Sequence, residues 1–179
     1  MMILSQRRGQ VWVETVIYTL IGIALIGLVL AILTPKIKEF RDRSVIEQTI
    51  ESLNVFDSKV IDVLDAPGNK RKVIFGLQRG IIFIDSLNDT IRYVLDESNV
   101  RYSEPGLSLD IGRINVSTQE LTESYKISLY MSYKYNITFD GNDSLDSQQF
   151  TPVSIPYEFF ITNKGTVNNK LWIDITEGN

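Results

Sequence analysis

The chain has 179 residues, room for one ordinary domain plus an extra element, and a formal charge of -4 at neutral pH. It contains neither histidine nor cysteine, which removes Ser-His-Asp and Cys-His nucleophilic sites, zinc fingers, haem ligation and iron–sulfur clusters together. No Lys/Arg cluster or aromatic-studded basic strand follows residue 72, so nothing marks a nucleic-acid footprint and no nucleic-acid partner is expected.

The chain opens on Arg7-Arg8-Gly9-Gln10-Val11-Trp12-Val13-Glu14 and continues as an apolar run to Leu33, uncharged from Thr15 to Thr34. As a helix, residues 11–33 span about 35 Å, enough for a bilayer core of roughly 30 Å. A helix apolar all round must be buried on every side, in lipid or among other helices. A secretory signal would have an apolar core of about 7–15 residues and a small-residue cut at its far end. This core is longer, and Ala31-Ile32-Leu33 offers no such cut. A plain transmembrane anchor fits the length but assigns no role to Glu14 or to the Arg-Arg-Gly-Gln junction.

The junction resembles the class III signal of archaeal type IV pilin-like proteins, in which a short basic leader ends in a small residue and is cut before glutamine. The family carries glutamate at the fifth mature position. That resemblance implies a leader over residues 1–9, with Gly9 the last leader residue, Gln10 the first mature one and Glu14 the fifth. It covers about the first third of the chain; Trp12 stands where the family more often has a small residue. It further implies cleavage by a prepilin peptidase, then extraction from the membrane by an assembly ATPase and a platform protein into a helical homo-oligomeric filament. The orientation would be N-terminus in, C-terminus out. Glu14, costly inside lipid, would pair with the free amine of Gln10 from its own or a neighbouring subunit. If Gln10 cyclises, that amine loses its charge, and backbone N–H groups at the helix start would take the carboxylate instead.

Gly27 and Ala31 have the small-xxx-small spacing that lets helix backbones approach closely, a spacing also common as background in membrane helices. Charge flanks point the other way from the processing signal. Lys36, Lys38, Arg41 and Arg43 follow the apolar run, and counted alone they would place the C-terminal side in the cytoplasm.

Pro35 removes one helical hydrogen bond, to the Ala31 carbonyl, and predicts a kink. The helical period resumes at once, with Ile46, Ile50, Leu53, Phe56, Val60 and Val63 three or four apart. Glu39 and Arg43 stand in the favourable i,i+4 order. The pattern predicts one long helix over residues 10–66: 10–34 apolar (membrane or filament core) and 35–66 amphipathic. Ala66-Pro67-Gly68-Asn69 stops it.

From Lys72 the period becomes two, most plainly over residues 125–139, which as one strand would need a bend or bulge. Shorter strands are expected at 73–77, 81–85, 90–96, 107–116, 154–162 and 170–175. Turns are expected at residues 87–89, 105–106, 141–143 and 163–165. The expected fold is α+β: the long N-terminal helix packed on an antiparallel β-sandwich or small barrel over residues 67–179, exposed outside the cell.

Four N-glycosylation sequons begin at Asn88, Asn115, Asn136 and Asn142. Asp140 to Asp146 places oxygen ligands at alternate positions, but Leu145 and Thr151 stand where a calcium loop needs glycine and glutamate, so a hairpin turn is the expected form. No cofactor is implied, and no carboxylate constellation suggests an enzyme. The expected function is a pilin subunit of a type IV pilus-like surface filament serving adhesion or surface attachment. The alternative is a single-pass anchored surface binding module, neither cleaved nor polymerised.

Overall fold

The computed structural model describes residues 6–144 and 147–178, with side chains from Trp12 onward. The chain divides into two compact units, one up to Phe40 and one from Arg41 onward. A single helix, α1 (Gln6–Val63), supplies the first unit and opens the second, and it runs through Pro35 without interruption. Beside the gap that proline leaves in the ladder, the Thr34 hydroxyl donates to the Leu30 carbonyl at 2.6 Å.

The helix has no basic residue in its last turn to complement its C-terminal carbonyls. The complement comes from far along the chain. Asn163 donates its side-chain amide to the Val63 carbonyl at 2.8 Å, and its own carbonyl accepts from Gly68 N at 2.8 Å. Gly68 sits at φ +86°, a left-handed conformation that glycine adopts without a Cβ clash. The stop expected at residues 66–69 is therefore a joint between the helix and a distant strand.

Ten strands follow: β1 (Lys70–Phe75), β2 (Ile81–Asp85), β3 (Thr90–Ser98), β4 (Ser108–Ile111), β5 (Ile114–Glu120), β6 (Tyr125–Ser132), β7 (Asn136–Phe139), β8 (Gln148–Phe150), β9 (Tyr157–Val167) and β10 (Lys170–Glu177). They form a four-stranded sheet in the order β1-β9-β10-β7 and a six-stranded sheet in the order β4-β5-β6-β3-β2-β8. All pairings are antiparallel except β7 with β10. The edge strand β1 carries Lys70, Arg71 and Lys72, charges that discourage another strand from adding there.

The alternating run 125–139 is not one bent strand. It crosses between the sheets, as β6 of one and β7 of the other. Asp89, in the β2–β3 turn, holds the crossing: its carbonyl accepts from Tyr133 N at 3.0 Å and its carboxylate from Ile137 N at 2.8 Å. Lys170 closes on the other carboxylate oxygen at 2.6 Å. Period-two alternation is blind to which sheet a strand joins, so this switch left no trace in the pattern.

Two further expectations are corrected. Residues 107–116 form the hairpin β4–β5, because Gly112 takes φ +63° between them. The reversal expected at 163–165 lies later, at Asn168 and Asn169, whose φ values of 50° and 65° suit a two-residue hairpin turn. Asn163 and Gly165 instead lie within β9, opposite the register shift between Trp172 and Ile173.

The helix stripe Ile46, Ile50, Leu53, Phe56, Val60 and Val63 is buried throughout and shares one core with both sheets. Phe56 meets Phe159 of β9 edge-on at 6.0 Å between ring centroids. Leu53, Phe75 and Ile84, from the helix and the two sheets, surround a residual void of only about 10 Å³. The fold is thus α+β, a helix packed on a two-sheet β-domain.

Candidate assembly surface and its anchorage

From Trp12 to Arg41 no described side chain is buried. Trp12 is 71% exposed and Leu28 60%, whereas Ile46 and Val60, on the same helix, are 0% exposed. Leaving a large aliphatic or aromatic side chain in water forgoes about 1.5–3 kcal/mol, and over this run the deficit is on the order of tens of kcal/mol. Such a surface needs a cover. α1 is long and apolar enough to cross a membrane.

Gly9 and Gln10 fall within the backbone range of α1, and their surroundings lie outside the described residues. Glu14 and Ala31 are exposed, and a Cβ built on Gly27 would meet nothing within 4 Å. Each of these positions is open in the single chain. Just beyond Pro35, Lys36 pairs with Glu39 at 2.8 Å and Arg43 with Glu47 at 3.4 Å. The expected Glu39–Arg43 pair gives way to these two, since i,i+3 and i,i+4 partners compete on an exposed helix face.

Burial begins at Asp42. Its carboxylate pairs with Arg79, from the β1–β2 connection, and accepts from Asn99 twice, from the backbone N at 2.8 Å and from Nδ2 at 2.7 Å. Further along, Arg113 lies 3.1 Å from the buried Asp57, and its guanidinium stands 5.3 Å from the centre of the Tyr133 ring. Burial, then the Asp57 charge, pushes the Tyr133 phenol well above its ordinary value. Burial likewise raises Tyr93 to about 12, and its hydroxyl donates to the Arg79 carbonyl at 2.9 Å. These polar contacts fix the helix against the β-domain in one rotation and one axial register.

Sequence reasoning did not find Asp42, Arg79 or Asn99. One signal was available: Asp42 and Thr49 fall on the spacing of the buried stripe, where a polar residue needs a partner inside the fold.

The four sequons differ in access. Asn88 and Asn142 are exposed, Asn88 donating to Asp85 at 2.8 Å and Asn142 accepting from the Ser144 hydroxyl at 2.9 Å. Asn115 is half-buried and donates to Asp110 at 2.8 Å. The side-chain nitrogen of Asn136 is buried without a partner, and the hydroxyl of its sequon residue Thr138 donates to the buried Asp174 at 2.8 Å. A glycan could reach Asn136 only before folding.

Asp140 and Gly141 form a tight turn at φ 50° and 75°, and Gly141 N donates to Asp174 at 2.8 Å. Leu145 and Asp146, the end of the loop weighed as a calcium site, lie outside the described residues. Among the described residues no group of three or more Asp or Glu could hold a metal ion. The second unit has a cleft of about 250 Å³ lined by Gln48, Thr49, Ser52 and Gln78, and one of about 650 Å³ lined by Val153, Ile155, Glu158 and Glu177. No protein-family model, curated protein or solved structure matches the chain.

Proposed function

We propose that the protein is a structural subunit, a pilin of an archaeal type IV pilus-like surface filament. It is cut between Gly9 and Gln10 and polymerises through the first half of α1. The observation that carries this reading is the contrast within one helix: a solvent-open apolar half, and a half buried against the β-domain. A helix apolar on every side is covered by lipid before assembly and by other copies after it. Moving from lipid to protein gains little hydrophobic energy, so direction and register fall to specific contacts such as that of Glu14. The β-domains would form the outer surface, for adhesion or attachment.

The test is mature length and polymer state together. Sheared surface material should pellet as filaments whose N-terminal peptide begins at Gln10 by mass spectrometry. Recovery only as dispersed chains retaining residues 1–9 would refute the filament reading and support the uncleaved anchor. Gly9→Val should abolish cleavage and filaments while the β-domain stays folded. Normal processing of that variant would move the junction elsewhere.

A further inference from the structure

Between β8 and β9 runs Thr151-Pro152-Val153-Ser154-Ile155-Pro156, a connection without a charge. Ile155 is 81% exposed and Val153 44%. Two prolines restrict the backbone, and the Tyr157 hydroxyl donates to the Thr151 carbonyl at 2.7 Å across the base of the loop. The loop therefore has little freedom to fold these side chains back onto the domain. On the adjoining edge strand Ile74, paired with Glu158 in the ladder, is 62% exposed as well.

The loop occupies a definite end of the β-domain. Pro152 and Arg79 line one cleft of about 300 Å³. Arg79 is the partner of Asp42, the second residue of its compact unit. Further along β9, Asn163 holds the Val63 carbonyl. The exposed apolar loop thus lies towards the end of the β-domain that holds Asp42, and Lys36, Lys38, Arg41 and Arg43 precede or flank Asp42 in the sequence.

We infer that this loop is a lipid-surface contact: in the membrane-held state Val153 and Ile155 enter the boundary between headgroups and acyl chains. This rests on the reading that the apolar half of α1 lies in a bilayer before assembly. Two side chains on a stiff loop offer far less than the roughly 1,000 Å² that a specific protein interface buries. A bilayer needs no matching shape. The helix also tethers the domain at the surface, so a contact too weak to recruit a free protein is still occupied. Of the basic residues after Pro35, Lys36 and Arg43 are paired with Glu39 and Glu47, and Lys38 and Arg41 favour the headgroup phosphates. Glu158 and Glu177 line the same cleft of about 650 Å³ as Val153 and Ile155, and Glu158 is paired with Lys72 at 2.7 Å.

The absence of native cysteine allows a direct test in the full chain. Ile155→Cys, Ile23→Cys and Val167→Cys would each carry one environment-sensitive fluorophore, in vesicles of phosphatidylcholine and phosphatidylglycerol. Val167, on the β9–β10 hairpin, reports the far end of the domain. The Ile155 label should emit to the blue of the Val167 label and be quenched by a headgroup-level spin-labelled lipid, and the Ile23 label should be quenched by a deep one. An Ile155 label as hydrated as that at Val167, while Ile23 is quenched from the bilayer centre, overturns the inference and leaves the membrane reading intact. If neither is quenched, the membrane reading fails and takes the inference with it. Shielding of Ile155 only after polymerisation also overturns it, in favour of a contact between subunits.

Discussion

Asn99 grips Asp42 with two donors at once, its backbone N at 2.8 Å and its Nδ2 at 2.7 Å from the same carboxylate oxygen. The pair joins the helix, where burial begins, to the segment just after β3. Arg79 takes the other oxygen. A carboxylate removed from water needs its charge and lone pairs met, and here the β-domain meets them. The apolar stripe alone would tolerate small slips of the helix along the sheets; this contact selects one position.

Asp42→Ala should therefore cost about 2–4 kcal/mol, more than an ordinary surface substitution. Asn99→Ala should cost less, because the backbone N–H remains. In a double-mutant cycle the two should be strongly non-additive, since they share one contact. Denaturant unfolding of detergent-solubilised full-length chain measures all three. Additive losses would show that the two residues act separately.

Among the described glycines, Gly80 has the least room. It sits at φ +77°, and a built Cβ would lie 2.5 Å from the Tyr93 ring. Gly80→Ala should destabilise by roughly 3 kcal/mol, combining backbone strain with overpacking. Gly68→Ala, at φ +86° but with nothing within 4 Å of a built Cβ, should lose only about 1–2 kcal/mol. Equal losses at the two sites would mean that strain alone sets the cost.

Stability should fall at alkaline pH through Tyr93 and Tyr133. Both phenols are raised above the ordinary value of 10, chiefly by burial, Tyr93 to about 12. A folded-state pKa above the unfolded one means that the native chain holds its proton longer. The contribution is complete below pH 10 and drains away as pH rises towards the folded value. Tyr93→Phe should flatten the decline between pH 10 and 12 while costing about 1 kcal/mol at neutral pH, through its lost bond to the Arg79 carbonyl. An unchanged slope in that variant would assign the alkaline loss to other groups.

Asn163→Ala should fray the end of α1. It leaves the Val63 carbonyl without its side-chain donor and Gly165 N without its acceptor, a bond of 2.8 Å. The expected loss is about 1–3 kcal/mol, the cost of stranding buried backbone groups. Hydrogen exchange should quicken in the last helical turn and at the β9 register shift, but not at Ile46. Uniform acceleration along the helix would indicate global rather than local opening.

Much of this architecture was legible beforehand because helix and strand periods differ. Ile46 through Val63 could be read as a buried stripe, since 3.6-residue spacing puts those side chains on one face whatever lies opposite. The apolar run before Pro35 was legible for the same reason, its lack of any polar face. The two-sheet division was not. Residues 125–139 alternate without a break, yet Asp89, more than thirty positions earlier, takes the Tyr133 and Ile137 amides and turns one pattern into strands of two sheets. The later hairpin at Asn168-Asn169 was hidden by Gly165, whose left-handed φ serves a bulge rather than a reversal.

By itself, then, the sequence determined the long helix, its division into a uniformly apolar and an amphipathic half, the β character of the remainder and the absence of histidine and cysteine chemistry. These follow from local periodicity and composition, which need no partner. Only the tertiary structure decided where burial starts, at Asp42, which polar groups hold the helix in register, and which end of the β-domain carries Ile155. Each of those depends on residues tens of positions apart meeting in space, and a buried polar group shows its partner only once the fold has brought the two together.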